Sequence, residues 1–299
     1  MVQLKTIIPF FQHIILCGAL ASCANPPAAA PAPSEPAVTA DTIVPVPEFI
    51  PFSRDSILSA MKRKVAEGKP LVAHVFVPLC DNEHQGIVPV NASLGDGMNL
   101  NTNLYWGARY GVRSYFKSQS AWKLVETREN PFPDVLERLV FRRTFPGGHD
   151  VILIADAWRG DRMEACVAGF FAALAGSRTD SAYLQYGFPD LVAFNGHNGM
   201  MDNLDLGLET DRDTLRKDAV VIACASHSWF RERLNFAGAY PLVATNNLMA
   251  PEAYVLEAVI SHWARFETEA AVLDAAGRAY HQYQQCGERG ARRLFRGGW

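Results

Sequence analysis

The sequence has no Cys-x-x-Cys pair, no internal repeat and no long apolar run after Leu20. The cysteine spacings exclude the usual structural zinc patterns, so no metal is expected. Nothing beyond the first residues is long and apolar enough to read as a membrane span. Positive charge is not in excess either: 28 Lys and Arg stand against 31 Asp and Glu, a net charge of -3. That balance excludes the broad basic surface a nucleic-acid partner requires. Basic clusters such as Met61-Lys-Arg-Lys64 read as solvated helix faces. What is present, 49% hydrophobic and 20% charged residues, is the composition of an ordinary globular protein.

The N-terminus speaks to compartment. Lys5, the apolar stretch Ile7 to Leu20 and the small-residue sequence Leu20-Ala21-Ser22-Cys23 form a secretory signal whose apolar run is too short to span a membrane comfortably. The stretch resembles a bacterial lipoprotein box. The resemblance implies removal of a signal peptide 1–22 and lipidation of Cys23, which would anchor the protein to a membrane of the bacterial cell envelope. Ala24 after the cysteine, in place of Asp, implies the outer membrane. The alternative is an ordinary signal peptide or an uncleaved anchor that happens to contain Cys23. Residues 23–47 are a Pro/Ala-rich tether with nothing to build a core. Residues 48–299, about 250 in all, suffice for a single domain with one substantial core. Cys80, Cys166, Cys224 and Cys286 are an even number in a compartment that permits disulfides, so one or two bridges remain an open reading.

Periodicity gives alternating helices and strands. Ser53 caps an expected helix from Arg54 to Ala66, ended by Gly68. Leu71 to Val77 is a nearly continuous apolar strand of the buried parallel kind. Leu104 to Lys117 reads as an aromatic-rich amphipathic helix. Val135 to Thr144 and Val151 to Trp158 are strands joined through Pro146-Gly-Gly148. Asp161 is the expected cap of a helix Met163 to Ala175 that stops at Gly176. Strands from Leu191 and Asp218, a strand Tyr240 to Thr245, and helices Pro251 to Thr268 and Glu269 to Gln284 complete the chain. This order predicts an α/β fold, a three-layer α/β/α sandwich on a mostly parallel sheet.

Two strand ends carry chemistry: Leu191-Val-Ala-Phe-Asn-Gly-His197-Asn-Gly199 and Asp218-Ala-Val-Val-Ile-Ala-Cys224-Ala-Ser226. Reactive groups of an open parallel sheet gather outside its carboxyl ends, where an imidazole and a thiol can meet. A strand ending in His near Gly, followed by one ending in Ala-Cys, resembles the caspase-like cysteine peptidases, which include caspases, legumains, gingipains, clostripain and CHAT-domain proteins. Ala223-Cys224-Ala-Ser226-His-Ser228-Trp-Phe230 is similar to the legumain type, and Val243 to Arg278 looks like the strand and paired helices that close CHAT-type domains.

The resemblance implies a caspase-like fold and a peptide or protein substrate. Cys224 would be the nucleophile and His197 the base, with no cofactor. It also implies an oxyanion hole from the backbone amides of Gly199 and Cys224. His197 is followed by Asn198 and only then by Gly199, so the amide of Asn198 is an alternative donor. The competing reading takes Cys224 as a small buried hydrophobe and His197 as a hydrogen-bonded rim residue; a third keeps the fold with a binding pocket in place of catalysis. Asp81 and Asp156, near the ends of their strands, are candidates for a pocket that takes Arg or Lys side chains. The favoured reading of both is as turn or helix caps, and Arg159 and Arg162 leave the sign of that pocket open. The long polar segment Cys80 to Asn103 contains Asp96, Asn99, Asn101 and Asn103, too few acidic ligands for a calcium loop.

Overall fold

The computed structural model describes residues 48–207 and 215–299. The expected signal peptide, Cys23 and the tether lie outside the described residues. Eight strands form one mixed sheet: β1 (Leu71–Pro78), β2 (Lys123–Phe132), β3 (Val135–Thr144), β4 (Asp150–Trp158), β5 (Leu191–Asn195), β6 (Lys217–Ile222), β7 (Ala239–Thr245) and β8 (Phe295–Arg296). Their order is β2-β3-β4-β1-β5-β6-β7-β8. Neighbours from β4 through β7 run parallel, and β2–β3, β3–β4 and β7–β8 are antiparallel. The apolar runs of β1, β5 and β6 follow from burial on both faces, which removes any need for a polar alternate residue.

Helices cover both faces. Alternate residues Leu71, Ala73, Val75 and Val77 pack under α1 (Asp55–Ala66), α2 (Val112–Ser118), α6 (Ala253–Trp263), α7 (Glu269–Gln284) and α8 (Glu288–Leu294). Phe76, Val192, Phe194 and Val221 point the other way, against α3 (Met163–Ala175) and α5 (Ser226–Phe236), and Val72 meets α4 (Ser181–Tyr186). The result is the expected three-layer α/β arrangement. The chain leaves β1 for β4 on one side and later places β5 on the other side of β1. The strand order therefore reverses at β1, where an open α/β sheet forms a crevice at its carboxyl edge.

Several local expectations are corrected. Only Val112–Ser118 of the expected helix Leu104 to Lys117 is helical. The preceding residues form tight turns because Gly107 and Gly111 let backbone approach backbone: a Cβ would fall 2.3 Å from the Leu100 carbonyl oxygen at Gly107 and 2.5 Å from the Trp106 backbone at Gly111. Asp161 does not cap α3; its carboxylate pairs with Arg159 at 2.7 Å, and a 3₁₀ turn Gly160–Arg162 leads into the helix. Strands β2 and β8 and helices α4, α5 and α8 have no counterpart in the sequence reading. Among the described residues no helix is long and apolar enough to cross a membrane.

Candidate active site at the carboxyl edge

β5 ends at Asn195, and Gly196 then donates its amide to the Ile222 carbonyl at 3.1 Å, holding the next residue beside the end of β6. That residue, His197, is buried, and its Nε2 lies 2.8 Å from Asp202 Oδ2. Asp202 closes a 3₁₀ turn Gly199–Asp202 that Asn198 caps by accepting the Met200 amide. The other end of the Asn198 side chain donates to the Cys224 carbonyl at 2.6 Å. Asn198 thus ties the two strand ends together. It does so with an ordinary φ of -77°, so no unusual backbone is required of it.

Cys224 stands in a sharp elbow. β6 stops at Ile222, Ala225 takes φ 47°, and α5 starts at Ser226. A left-handed alanine is disfavoured by about 1–2 kcal/mol and persists because the surroundings fix it. Ala225 donates its amide to the Asn247 carbonyl at 2.9 Å, and buried Ser226 donates its hydroxyl to the Val221 carbonyl at 2.8 Å and accepts the Thr245 amide at 2.9 Å. Thr245 Oγ1 also donates to the Ala223 carbonyl. The elbow presents a partly exposed thiol just ahead of the first turn of a helix of 11 residues.

The sequence-predicted pair is brought to the same edge but not into a hydrogen bond. Cys224 Sγ lies 3.4 Å from both the carbonyl oxygen and the amide nitrogen of Met249, while the imidazole is held by Asp202. The oxyanion candidates differ from one another. Gly199 donates its amide to the His197 carbonyl at 3.0 Å, whereas the amides of Asn198 and Cys224 donate to no described residue. All four described cysteines are free thiols, so the disulfide reading is not realised in this structure. Burial pushes the Cys80 thiol up to about 11. Burial likewise drives the hydroxyl of Tyr105 upward, with the thiols of Cys80 and Cys224 adding to the effect.

The proposed pocket acids are engaged by the protein itself. Asp156 is fully buried on the opposite side of the sheet, where Arg138 meets both its oxygens at 2.6 Å and His74 Nε2 lies 2.9 Å away. It belongs to an internal network and cannot line a substrate pocket. Burial pushes its carboxyl up, but the charges and hydrogen bonds of Arg138 and His74 outweigh burial and hold it below the usual carboxylate range. Asp81 is a turn cap: Oδ1 accepts the amides of Glu83 and His84 at 2.9 and 3.2 Å, and Oδ2 meets His84 Nδ1 at 3.0 Å. His74, Asp156 and Asp180 are the one group of potential metal ligands among the described residues. Arg138 also bonds both oxygens of Asp180, at 2.7 and 2.8 Å, so a guanidinium takes the place a cation would need. In the Asp96 to Asn103 segment the Asp96, Asn99 and Asn103 oxygens accept amides of their own loop, which is turn chemistry rather than a cation cradle.

Two clefts of about 490 and 420 Å³ open at the amino edge of the sheet, between Pro70, Asp150 and Tyr186 and between α1, Asp190 and Lys217. They face away from Cys224. Asp202 and Met249 are the site residues that the sequence reading missed; the one available signal for Asp202 was a carboxylate five residues past His197 in an Asp- and Asn-rich connection. No family model, curated protein or solved structure matches the chain.

Proposed function

We propose that the protein is a cysteine peptidase of caspase-like fold, with Cys224 as nucleophile and His197 as base. The observation that carries this reading is the His197–Asp202 pair at 2.8 Å, set at the end of the strand next to the Cys224 elbow. A carboxylate on Nε2 fixes that nitrogen as the donor and leaves Nδ1 as the acceptor. In the proposed reaction Nδ1 takes the thiol proton, sulfur adds to the peptide carbonyl carbon, and the amides of Cys224 and Asn198 hold the oxyanion. His197 then gives the proton to the departing amine as the C–N bond breaks, and water hydrolyses the thioester. The resting contact of Sγ with Met249 requires the thiol to turn toward the imidazole once substrate is bound.

The same proposal places the protein in the bacterial cell envelope, on the outer membrane, anchored through lipid at Cys23 and acting on a peptide or protein. A second reading, a non-catalytic envelope lipoprotein that binds a peptide, glycan or partner protein at this edge, is favoured by the Met249 contacts of Cys224 Sγ. A peptide library incubated with the purified full chain and read by mass spectrometry separates the two. Cleavage abolished in Cys224→Ala and lowered by at least about 100-fold in His197→Ala supports catalysis. Intact peptides throughout leave the binding reading.

A further inference from the structure

The loop that follows β1 reaches the candidate site at one point. A Cβ placed on Gly86 would lie 2.5 Å from Asp202 Oδ1 and 3.5 Å from its Cγ, with nothing else within 4 Å. Gly86 does not have a positive φ, so alanine there meets no backbone penalty and collides with the Asp202 carboxylate alone. That carboxylate is the group whose other oxygen, Oδ2, holds His197 at 2.8 Å. The two oxygens of a carboxylate are rigidly joined. Moving Oδ1 from 2.5 Å to an ordinary contact of 3.4 Å therefore drags Oδ2 off the imidazole.

Gly86 is itself exposed, so what resists its yielding is the anchoring of its neighbour. Gln85, buried beside Gly86, donates to the Leu79 carbonyl at 2.7 Å and to the Gly160 carbonyl at 3.1 Å, and its Oε1 accepts the Asp81 amide at 3.3 Å. Ile87 returns its amide to the Gln85 carbonyl at 2.8 Å. These bonds pin the segment to the end of β1 and to the turn after β4. On the other side, Asp202 is carried by the turn that Asn198 caps.

We propose that Gly86 is a positioning residue: its bare Cα, held by the Gln85 anchor, backs the Asp202 carboxylate and fixes the orientation of the His197 ring. The proposal deepens the reading of His197 as the base, but its structural content does not depend on peptidase activity.

The test uses the full chain as wild type, Gly86→Ala, Asp202→Ala, the double variant and His197→Ala, with two readouts. The first is the downfield imidazole N–H resonance of a hydrogen-bonded His197, assigned by its loss in His197→Ala. Wild type should show it; Gly86→Ala and Asp202→Ala should each lose it or exchange its proton at least about tenfold faster. The second readout is thermal stability. The double variant should be no less stable than Asp202→Ala, because truncating the Asp202 side chain vacates the space that a methyl group on the Gly86 Cα needs. If Gly86→Ala does not fold and the double variant does, the contact is equally supported.

A resonance retained in Gly86→Ala, or a stability loss that simply adds in the double variant, overturns the proposal. The iodoacetamide rate of Cys224 in the same proteins separates the two levels of argument. A slow rate common to all five, together with the expected resonances, removes the peptidase reading and leaves the Gly86 backing intact.

Discussion

Replacing Arg138 with Met should expose how the far side of the sheet is held. Arg138 is 1% exposed and supplies all four of its hydrogen bonds to the buried carboxylates of Asp156 and Asp180. Methionine matches part of the volume and none of the charge. Asp156 is then left buried with His74 as its remaining partner, and Asp180 with the Ala182 amide and, at 3.5 Å, Arg178; breaking such a buried pair costs about 3–5 kcal/mol near neutral pH, a large share of the roughly 5–15 kcal/mol that holds a domain together.

The sign of the pH dependence follows from the same contacts. In the wild type, burial pushes Asp156 and Asp180 up, but Arg138 outweighs it and both are held low. Their contribution is complete above the ordinary Asp value of about 3.9 and is lost only as pH falls through their lower folded values. Burial holds the His74 imidazole low despite Asp156, so the unfolded chain takes up a proton first and wild-type stability declines as pH drops below about 6.5. Without Arg138, burial weighs more heavily on both carboxyls and they rise from their wild-type positions, Asp180 less so because Arg178 stays 3.5 Å away. The penalty in Arg138→Met is then greatest at high pH and eases on acidification. Removing the Arg138 charge also eases protonation of His74 beside Asp156, while the Arg178 charge continues to oppose it.

Urea unfolding at pH 8 and pH 5 measures this. The account predicts a stability gap of about 3–5 kcal/mol at pH 8 that narrows by at least about 1.4 kcal/mol at pH 5, one unit of differential titration. A gap under about 1 kcal/mol at pH 8, the worth of an exposed pair, or a gap equal at both pH values, refutes the reasoning.

Other consequences are simpler to read. Ala225→Gly removes the left-handed penalty of about 1–2 kcal/mol at φ 47° against an unfolded-state entropy cost of about 0.4–1 kcal/mol; the variant should therefore melt no lower than wild type and up to roughly 2–4 °C higher, and a clear drop in Tm would mean that the elbow is not strained. Asp218 accepts from Arg54 at 2.6 and 2.8 Å and from Trp263 at 3.0 Å, all buried; Asp218→Ala should cost about 3–5 kcal/mol in denaturant unfolding, against under about 1 kcal/mol if the pair behaves as exposed. Among thiols, exposed Cys286 should react in the native protein, while buried Cys80 and Cys166 should label only on unfolding, as peptide mapping after a short alkylation will show.

Much of the architecture was legible because strand burial writes itself into composition. Leu71 to Pro78 is apolar except for His74 since both of its faces are covered, and Gly176, at φ 82°, ends α3 where a left-handed residue is needed. β2 escaped notice because it is an edge strand, exposed along most of its length and rich in charge, so its sequence has no apolar alternation to read. The helix expected from Leu104 failed at Gly107 and Gly111, whose role is close backbone approach.

The site was legible only in part. Strand ends could be read from the apolar runs before His197 and Cys224, and these place both residues at one edge. Partners could not be read, because Asp202 and Met249 reach the site through turns whose paths depend on packing. Asp156 misled for a related reason: a carboxylate near the end of a strand looks the same in sequence whether it faces solvent or, as here, Arg138 and His74 inside a layer.

The central claim is that His197 activates Cys224. The direct measurement is the rate of iodoacetamide reaction at each cysteine of the purified full chain from acidic to mildly alkaline pH, with His197→Ala alongside. The account predicts that Cys224 reacts faster than exposed Cys286 and that this advantage disappears in His197→Ala. A Cys224 rate no faster than that of Cys286 and indifferent to His197 would contradict it.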